Sequence, residues 1–161
     1  MELFEAIKKR RSIRRYQPGK ISQEELEAIV DAGRLAATGS NRQPWDFIVV
    51  TEKERIDQLS ISESWMDKAA AVIVVAMDPA SRWWVEDGSA ATQNMLLAIT
   101  ALGYGGCWVE GDALPHEEKI KTWLEIPSEK RILAVVPVGI IDDVPNPKKK
   151  ELSRVIHWEK Y

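Results

Sequence analysis

Four arginines and a serine stand close together near the start of the chain, in residues 10–15 (RRSIRR). Guanidinium groups stay charged and match the geometry of phosphate oxygens, so this cluster favours an anion site. A second basic cluster, residues 148–150 (KKK), lies far along the chain. If the two clusters converge, they can hold one or two phosphate charges. The alternative is a solvated run of charge, which is the commoner meaning of such strings, although Ser12 and Ile13 disfavour it slightly.

A polar loop with two amide side chains is the second candidate, in residues 40–45 (SNRQPW). Asn41 and Gln43 each offer a hydrogen-bond donor and an acceptor, directly before an apolar segment. Side chains of this kind can recognise the polar edge of a planar heterocycle. An ordinary turn that leads into a strand, with Trp45 in the core, explains the same pattern equally well.

A glycine-rich segment, residues 105–111 (GGCWVEG), is the third candidate. Glycine lets a backbone approach a ligand closely, but neither a dinucleotide fingerprint nor a phosphate-binding P-loop is present. Cys107 is one candidate nucleophile, yet a strand cysteine without a nearby histidine more often packs in the core. His116 and His157 lack the neighbours of a triad or a metal site, so no metal ligand is predicted.

Hydrophobic periodicity predicts the elements that position these groups. Ser22 opens a helix with the pattern of a capping box, and that helix runs to about Ala37. The other predicted elements are helices at 2–11, 51–60, 89–102 and 115–124, and strands at 47–50, 69–76, 107–109 and 132–141. Pro137 indicates an edge or a bulge in the last strand. This order predicts an α+β fold in one domain, residues 1–161, with helices packed on a central sheet.

Composition narrows the function classes. The net charge of -3 gives no global basic field to attract nucleic acid. The longest apolar run, residues 69–77, is too short to span a bilayer, and the N-terminus does not have the pattern of a signal peptide. With a single cysteine the chain forms no internal disulfide. We therefore expect a soluble, cytoplasmic protein without nucleic-acid or membrane partners.

The C-terminal tail, residues 144–161, carries apolar side chains after a turn-rich stretch that contains Pro145 and Pro147. These side chains are Leu152, Val155, Ile156 and Trp158. Such a tail either packs back on its own domain or reaches across to a partner. The residues alone slightly favour the first alternative.

Taken in order, five segments resemble the nitroreductase family of FMN enzymes. They are residues 10–14 (RRSIR), 40–45 (SNRQPW), 91–97 (ATQNMLL), 102–108 (LGYGGCW) and 155–158 (VIHW). The resemblance covers nearly the whole chain. It implies a central antiparallel or mixed sheet flanked by helices, in an intertwined homodimer. Two FMN molecules are expected at the dimer interface, and a swapped C-terminal arm, residues 144–161, is expected to reach the partner subunit.

The resemblance also implies roles for single residues. The residues expected to hold the phosphate, the ribityl chain and the ring edge are Arg10, Arg11, Ser12 and Arg14, with Lys148 and Lys150 on the phosphate. The residues expected to cover the flavin from the other subunit are Ala37, Thr38, Gly39, Asn41 and Gln43. The segment expected against the ring is Trp108, Val109, Glu110 and Gly111, with the Glu110 and Gly111 backbone near N5. No side chain is expected to be catalytic.

The implied reaction moves electrons from NAD(P)H through flavin N5 to a small acceptor such as a nitroaromatic or a quinone. Arg14 is expected to place positive charge near the N1 side of the ring. Two alternatives remain: a relative with specialised flavin chemistry, of the dehalogenase or flavin-fragmenting type, and a flavin-binding protein without turnover. The chain is short for the family, and residues 82–84 (RWW) are its one candidate lid segment.

Overall fold

The computed structural model describes residues 1–110 and 113–161. Its helices are α1 (Leu3–Lys9), α2 (Gln23–Arg34), α3 (Lys53–Leu59), α4 (Trp84–Ala101) and α5 (Glu117–Trp123). Its strands are β1 (Trp45–Val50), β2 (Ala71–Met77), β3 (Gly105–Gly106) and β4 (Arg131–Gly139). The element types follow the predicted order, so the α+β fold class is confirmed. Among the described residues, no helix is both long enough and apolar enough to cross a membrane.

The strands form one sheet in the order β1-β2-β4-β3, and every neighbouring pair is antiparallel. All seven residues of β2 are buried, because helices cover both faces of the sheet. Successive β2 side chains alternate between two core clusters, as strand geometry requires. One cluster joins Val72, Val74 and Ala76 to α3 and α5, and the other joins Ala71, Ile73, Val75 and Met77 to α2 and α4.

Pro137 does not mark an edge strand, so that expectation is wrong. β4 lies between β2 and β3, and the register shift falls at Leu133, where Val75 pairs with Ala134 and Ala76 with Ile132. Pro137 is tolerated because pairing on its other side is sparse. There its carbonyl accepts a long backbone hydrogen bond, 3.4 Å, from the Cys107 N–H and a second bond, 3.2 Å, from the Tyr16 hydroxyl, and the proline ring offers no donor.

Helix ends account for most other differences from the predicted elements. The capping box is present, since the Glu25 N–H donates to the Ser22 hydroxyl and the Ser22 N–H to the Glu25 carboxylate. However, α2 ends at Arg34, three residues before the predicted end. Helix α4 begins at Trp84, five residues early, so residues 82–84 lead into a helix. The predicted strand at 107–109 is reduced to a single bridge between Val109 and Val135.

Two apolar surfaces are left uncovered in the single chain. Leu3, Phe4 and Ile7 on α1 are between 49% and 75% exposed. In the tail, Leu152 is 71% exposed and Trp158 is 79% exposed. The tail therefore does not pack back on its own domain, and the alternative that the residues alone favoured is wrong.

Candidate functional site

The arginine segment runs along the outer side of β3. The Ile13 N–H donates to the Gly106 carbonyl at 3.0 Å, and Ser12 forms a parallel bridge with Gly106. Glycine is required at position 105 for this approach, since a Cβ there would lie 2.9 Å from the Ile13 Cβ. Ile13 is buried and extended chain alternates its side chains. Ser12 and Arg14 are therefore presented away from the core.

Arg14 lines a cleft of about 330 Å³ together with the residues that follow β3. The other lining residues are Glu63, Trp65, Cys107, Trp108, Val109 and Glu110. The structure thus brings Arg14 together with three members of the segment predicted to lie against a ring. Gly111, the fourth member of that segment, lies outside the described residues.

Glu63 and Trp65 were not predicted as site residues. The Arg14 guanidinium lies 6.0 Å from the Trp65 ring centroid, a distance at which cation–π attraction operates. The Trp65 indole N–H donates to the Glu63 carboxylate at 2.9 Å, which fixes the orientation of the ring. No sequence motif marks these two residues, because they reach the cleft from the connection before β2, Glu63 as the N-cap of the 3-10 turn Ser64–Lys68 and Trp65 within that turn.

Tyr16 supports the segment from inside. Its hydroxyl donates to the carbonyls of Ile13 and Pro137, at 2.9 and 3.2 Å. Burial raises the pKa of Tyr16 far above its ordinary value, so the phenol stays neutral. It therefore acts as a fixed donor between the arginine segment and β4.

Cys107 lies within the site but is not activated. Burial raises the pKa of its thiol, and this effect outweighs the opposing effects of Arg14, the Ser12 hydrogen bond and Arg10. A thiol with a raised pKa is a poor nucleophile at neutral pH. Arg14 and Cys107 line the same cleft, and Ser12 lies two residues before Arg14 on the same side of the extended segment.

Arg11 is turned toward the protein itself. Its Nη1 donates to the carbonyls of Lys8 and Arg10, at 2.7 and 2.8 Å, and its Nη2 donates to the Asn146 side chain at 3.2 Å. Arg11 therefore closes the C-terminal end of α1 and holds the start of the tail. Lys148 follows Asn146 in the exposed tail.

The polar loop has an unusual backbone. Ser40, Asn41 and Gln43 have φ values of 54°, 55° and 50°, in the left-handed region that residues with side chains rarely adopt. The Gln43 side chain donates to the Asn41 carbonyl and to its side-chain oxygen, at 3.3 and 3.1 Å. The Gln43 N–H donates to the Thr38 hydroxyl at 3.3 Å. The two amides are thus held together on an exposed loop. Ala37 is also exposed.

The arginine segment and the polar loop lie at opposite edges of the sheet. The loop leads into β1 at one edge, and the arginine segment borders β3 at the other. Three interstrand spacings of about 4.8 Å place these edges roughly 14 Å apart. A single chain therefore presents two half-sites, one cationic and one amide-rich.

The cationic half-site suits an anion joined to a polar ring. Arg14 supplies charge at the cleft, and Arg10 and Ser12 supply a further charge and a hydroxyl from the same segment. Guanidinium and hydroxyl groups together match a phosphate. These donors therefore fit a phosphorylated heterocycle.

Comparisons with known proteins show the family of the chain. The model of the family described as the nitroreductase family matches residues 7–64 and 60–140. A protein of Archaeoglobus fulgidus, provisionally named NADH dehydrogenase/NAD(P)H nitroreductase, is 39% identical over 153 residues, which cover 88% of this chain and 87% of that protein.

Solved structures match over nearly the full length. A provisionally named NADH dehydrogenase/NAD(P)H nitroreductase from Bacteroides thetaiotaomicron superposes with a TM-score of 0.90 at 29% identity, covering 99% of this chain and 98% of that one. An FMN-dependent nitroreductase from Clostridium difficile gives a TM-score of 0.88 at 26% identity, covering 98% and 99%. The expected central sheet flanked by helices is thus confirmed as the fold of these proteins.

Proposed function

This chain belongs to the nitroreductase family, and from that premise we propose that it is an NAD(P)H-dependent oxidoreductase that uses FMN held between two copies of the chain. The observation that carries the proposal is the pair of half-sites at opposite edges of one sheet. Neither half is sufficient for a flavin nucleotide by itself. Two copies that place the β3 edge of one against the β1 edge of the other complete two equivalent sites.

The residues of the cationic half-site match the parts of FMN. Arg10 and Ser12 are assigned to the phosphate, with Lys148 and Lys150 joining them once the tail is placed. Arg14, which lines the cleft, is assigned to the N1 side of the ring, where its charge stabilises negative charge. The Glu110 backbone N–H is assigned to N5. The bound flavin supplies the transfer of electrons from NAD(P)H to the acceptor.

The amide half-site comes from the second copy. Asn41 and Gln43 are exposed, and their side chains are already hydrogen-bonded to each other. Such preorganised groups lose little entropy when they bind a ring. Thr38 and Gly39 belong to the same loop, and Ala37 precedes it. In the homodimer this loop covers the flavin held by the partner.

Exposed apolar surface supports the homodimer. The α1 face and the tail leave several large apolar side chains exposed, and clusters of exposed apolar side chains favour an interaction site. The Arg11–Asn146 hydrogen bond holds the start of the tail next to α1. The tail then continues as an exposed arm that is long enough to reach a second copy.

An anaerobic titration tests this function. The purified chain is expected to be yellow, with about one FMN per subunit, and to bleach when NADH or NADPH is added without oxygen. Nitroaromatics and quinones are then expected to reoxidise it. A colourless protein that ignores added FMN contradicts the proposal. A flavoprotein that no reduced nucleotide bleaches indicates flavin binding without turnover, and exclusive reoxidation by a halogenated compound indicates a dehalogenase.

A further inference from the structure

We propose that Asp87 is a positioning residue of the flavin site: its buried carboxyl group fixes the loop of residues 38–43 in the conformation that presents Asn41 and Gln43. The inference rests on the proposed function, because only there is this loop assigned to a flavin. Asp87 acts through the loop backbone, because its hydrogen bond is with the Gly39 N–H.

The Asp87 carboxyl group is held in an unusual setting. The residue is 4% exposed, in the first turn of α4. Its Oδ1 accepts a hydrogen bond of 3.0 Å from the Gly39 N–H, while its Oδ2 is buried without a partner among the described residues. A buried carboxyl oxygen without a partner is unfavourable for stability. Folding stability alone therefore gives little reason for an aspartate here.

The Trp83 ring is the second contact that holds Gly39 in place. A Cβ on Gly39 would lie 2.2 Å from Cε3 of the Trp83 ring, so the ring occupies the space that any side chain at position 39 needs. Trp83 is 36% exposed, and the Arg82 guanidinium lies 5.4 Å from its ring centroid. Gly39 is thus held from two directions, by a hydrogen bond to its N–H and by a ring against its Cα.

The residues with left-handed backbone conformation begin directly after Gly39. Ser40 and Asn41 follow Gly39, and Gln43 adopts the same region two residues later. Such a conformation persists only when its surroundings determine it. The far end of the loop is tied as well, since the Pro44 carbonyl accepts from the Asp78 N–H at 2.7 Å. Without the Asp87 bond, the Gly39 end of the loop loses the hydrogen bond that ties its backbone to α4 and keeps only its packing against Trp83.

The decisive experiment compares FMN and riboflavin binding by full-length variants. Asp87→Ala is expected to weaken binding of both ligands by about tenfold, as the loss of one hydrogen bond to a carboxyl group would. Both are affected equally because the loop contacts the ring. Arg10→Ala is expected to weaken FMN binding only, since riboflavin has no phosphate. Asp87→Asn keeps an acceptor oxygen and is expected to restore most of the affinity.

Glu86→Ala is the matched control, because it removes an exposed carboxylate from the same helical turn. Its affinities are expected to equal those of the wild type. Hydrogen exchange of the flavin-free chain gives a second readout, in which Asp87→Ala accelerates exchange in residues 38–43 and leaves β2 protected. Unchanged binding of both ligands by Asp87→Ala overturns the inference. If the wild type itself binds no FMN, the proposed function fails first.

A second variant pair keeps the inference testable if Asp87→Ala does not fold. Gly39→Ala drives a methyl group against the Trp83 ring and is expected to weaken riboflavin binding. Adding Trp83→Ala removes the obstacle and is expected to recover part of the affinity. Wild-type affinity in Gly39→Ala alone would contradict the claim that Asp87 and Trp83 hold Gly39 in the conformation needed for binding.

Discussion

Arg10 is the residue on which phosphate recognition is expected to depend. It follows α1 directly and opens the segment that contains Ser12 and Arg14. Arg10→Ala removes a charge-assisted hydrogen bond to phosphate, which contributes about 1.5–3 kcal/mol. We expect the dissociation constant for FMN to rise about tenfold or more, measured by quenching of flavin fluorescence.

Arg15→Ala serves as the control for Arg10, because Arg15 is exposed and lines no part of the cleft. Its affinity for FMN is expected to stay near that of the wild type. Equal affinities for the wild type and Arg10→Ala would remove Arg10 from the site. A parallel loss in both variants would point to overall charge and not to a specific contact.

The sequence predicts the role of some single residues in the site but not of others. The arginine segment and the polar loop stand out by composition, and the structure gives both a distinct place. Trp65 and Asp87 were not predicted, because their importance comes from partners distant in the sequence: Arg14 for Trp65 and Gly39 for Asp87. Arg11 has the composition of an anion ligand, yet its contacts are with Lys8, Arg10 and Asn146.

At the scale of elements, an ion pair between a buried carboxylate, Glu117, and a half-exposed guanidinium, Arg131, joins α5 to β4. Glu117, at the start of α5, accepts hydrogen bonds from the Arg131 side chain at 2.9 Å and from the Ile132 N–H at 2.8 Å. Burial by itself would raise the pKa of Glu117. The hydrogen bonds from Arg131 and Ile132, together with the nearby positive charges, outweigh burial and lower this pKa below its ordinary value of 4.5.

A pH-dependent contribution to stability follows from the lowered pKa of Glu117. When the pKa in the folded state lies below that in the unfolded state, the stabilisation is complete above pH 4.5 and is lost as the pH falls through the folded value. Glu117→Gln is expected to reduce stability by about 1 kcal/mol at pH 7, or roughly 2–4 °C in Tm. The difference from the wild type is expected to shrink below pH 4.5.

Thermal unfolding between pH 7 and pH 3 measures this difference. Glu129→Gln is the control, since Glu129 is exposed in the turn before β4. Exposed charges contribute little, so this variant is expected to follow the wild type. A Glu117→Gln deficit that is constant at every pH would show that packing, and not charge, is responsible.

Helices and strands were predicted well where the local hydrophobic pattern determines them. Their bounds were predicted less well where tertiary contacts determine them. The buried run of β2 and the capping box of α2 depend on local pattern, and both are present. The start of α4 at Trp84 and the end of α2 at Arg34 differ from the predicted bounds. The contacts of Gly39 with Trp83 and Asp87, next to these ends, join residues distant in the sequence, which no local pattern encodes. The expectation for Pro137 was wrong for the same reason. Whether a sheet tolerates a proline depends on the neighbouring strand, and here that strand, β3, has only two residues.

At the scale of the whole molecule, strand order determines whether one chain can form a complete flavin site. It separates the two half-sites by the width of the sheet, and it leaves the tail exposed. Deleting residues 144–161 is expected to give a monomer that retains no FMN, measured by analytical ultracentrifugation and by flavin absorbance. Removing only residues 159–161 leaves the apolar positions of the tail intact and is expected to preserve the dimer. A stable FMN-bound dimer without residues 144–161 would contradict the swapped arm.

Complementation between two damaged chains tests the shared site directly. One chain carries Arg10→Ala, which damages the cationic half-site, and the other carries Asn41→Ala and Gln43→Ala, which damage the amide half-site. Each homodimer then has two impaired sites. If each site is formed across the interface, one site of the heterodimer contains all the substitutions. The other site takes both of its halves from unchanged segments and is intact.

The heterodimer is therefore expected to bind one FMN per dimer with wild-type affinity, although neither homodimer does. If a single chain held the complete site, each subunit of the heterodimer would keep its own lesion, and no tight site would appear. Differently tagged chains, purified in tandem and titrated with FMN, give the stoichiometry that separates these outcomes. Recovery of one tight site follows only if the β3 edge of one chain meets the β1 edge of the other.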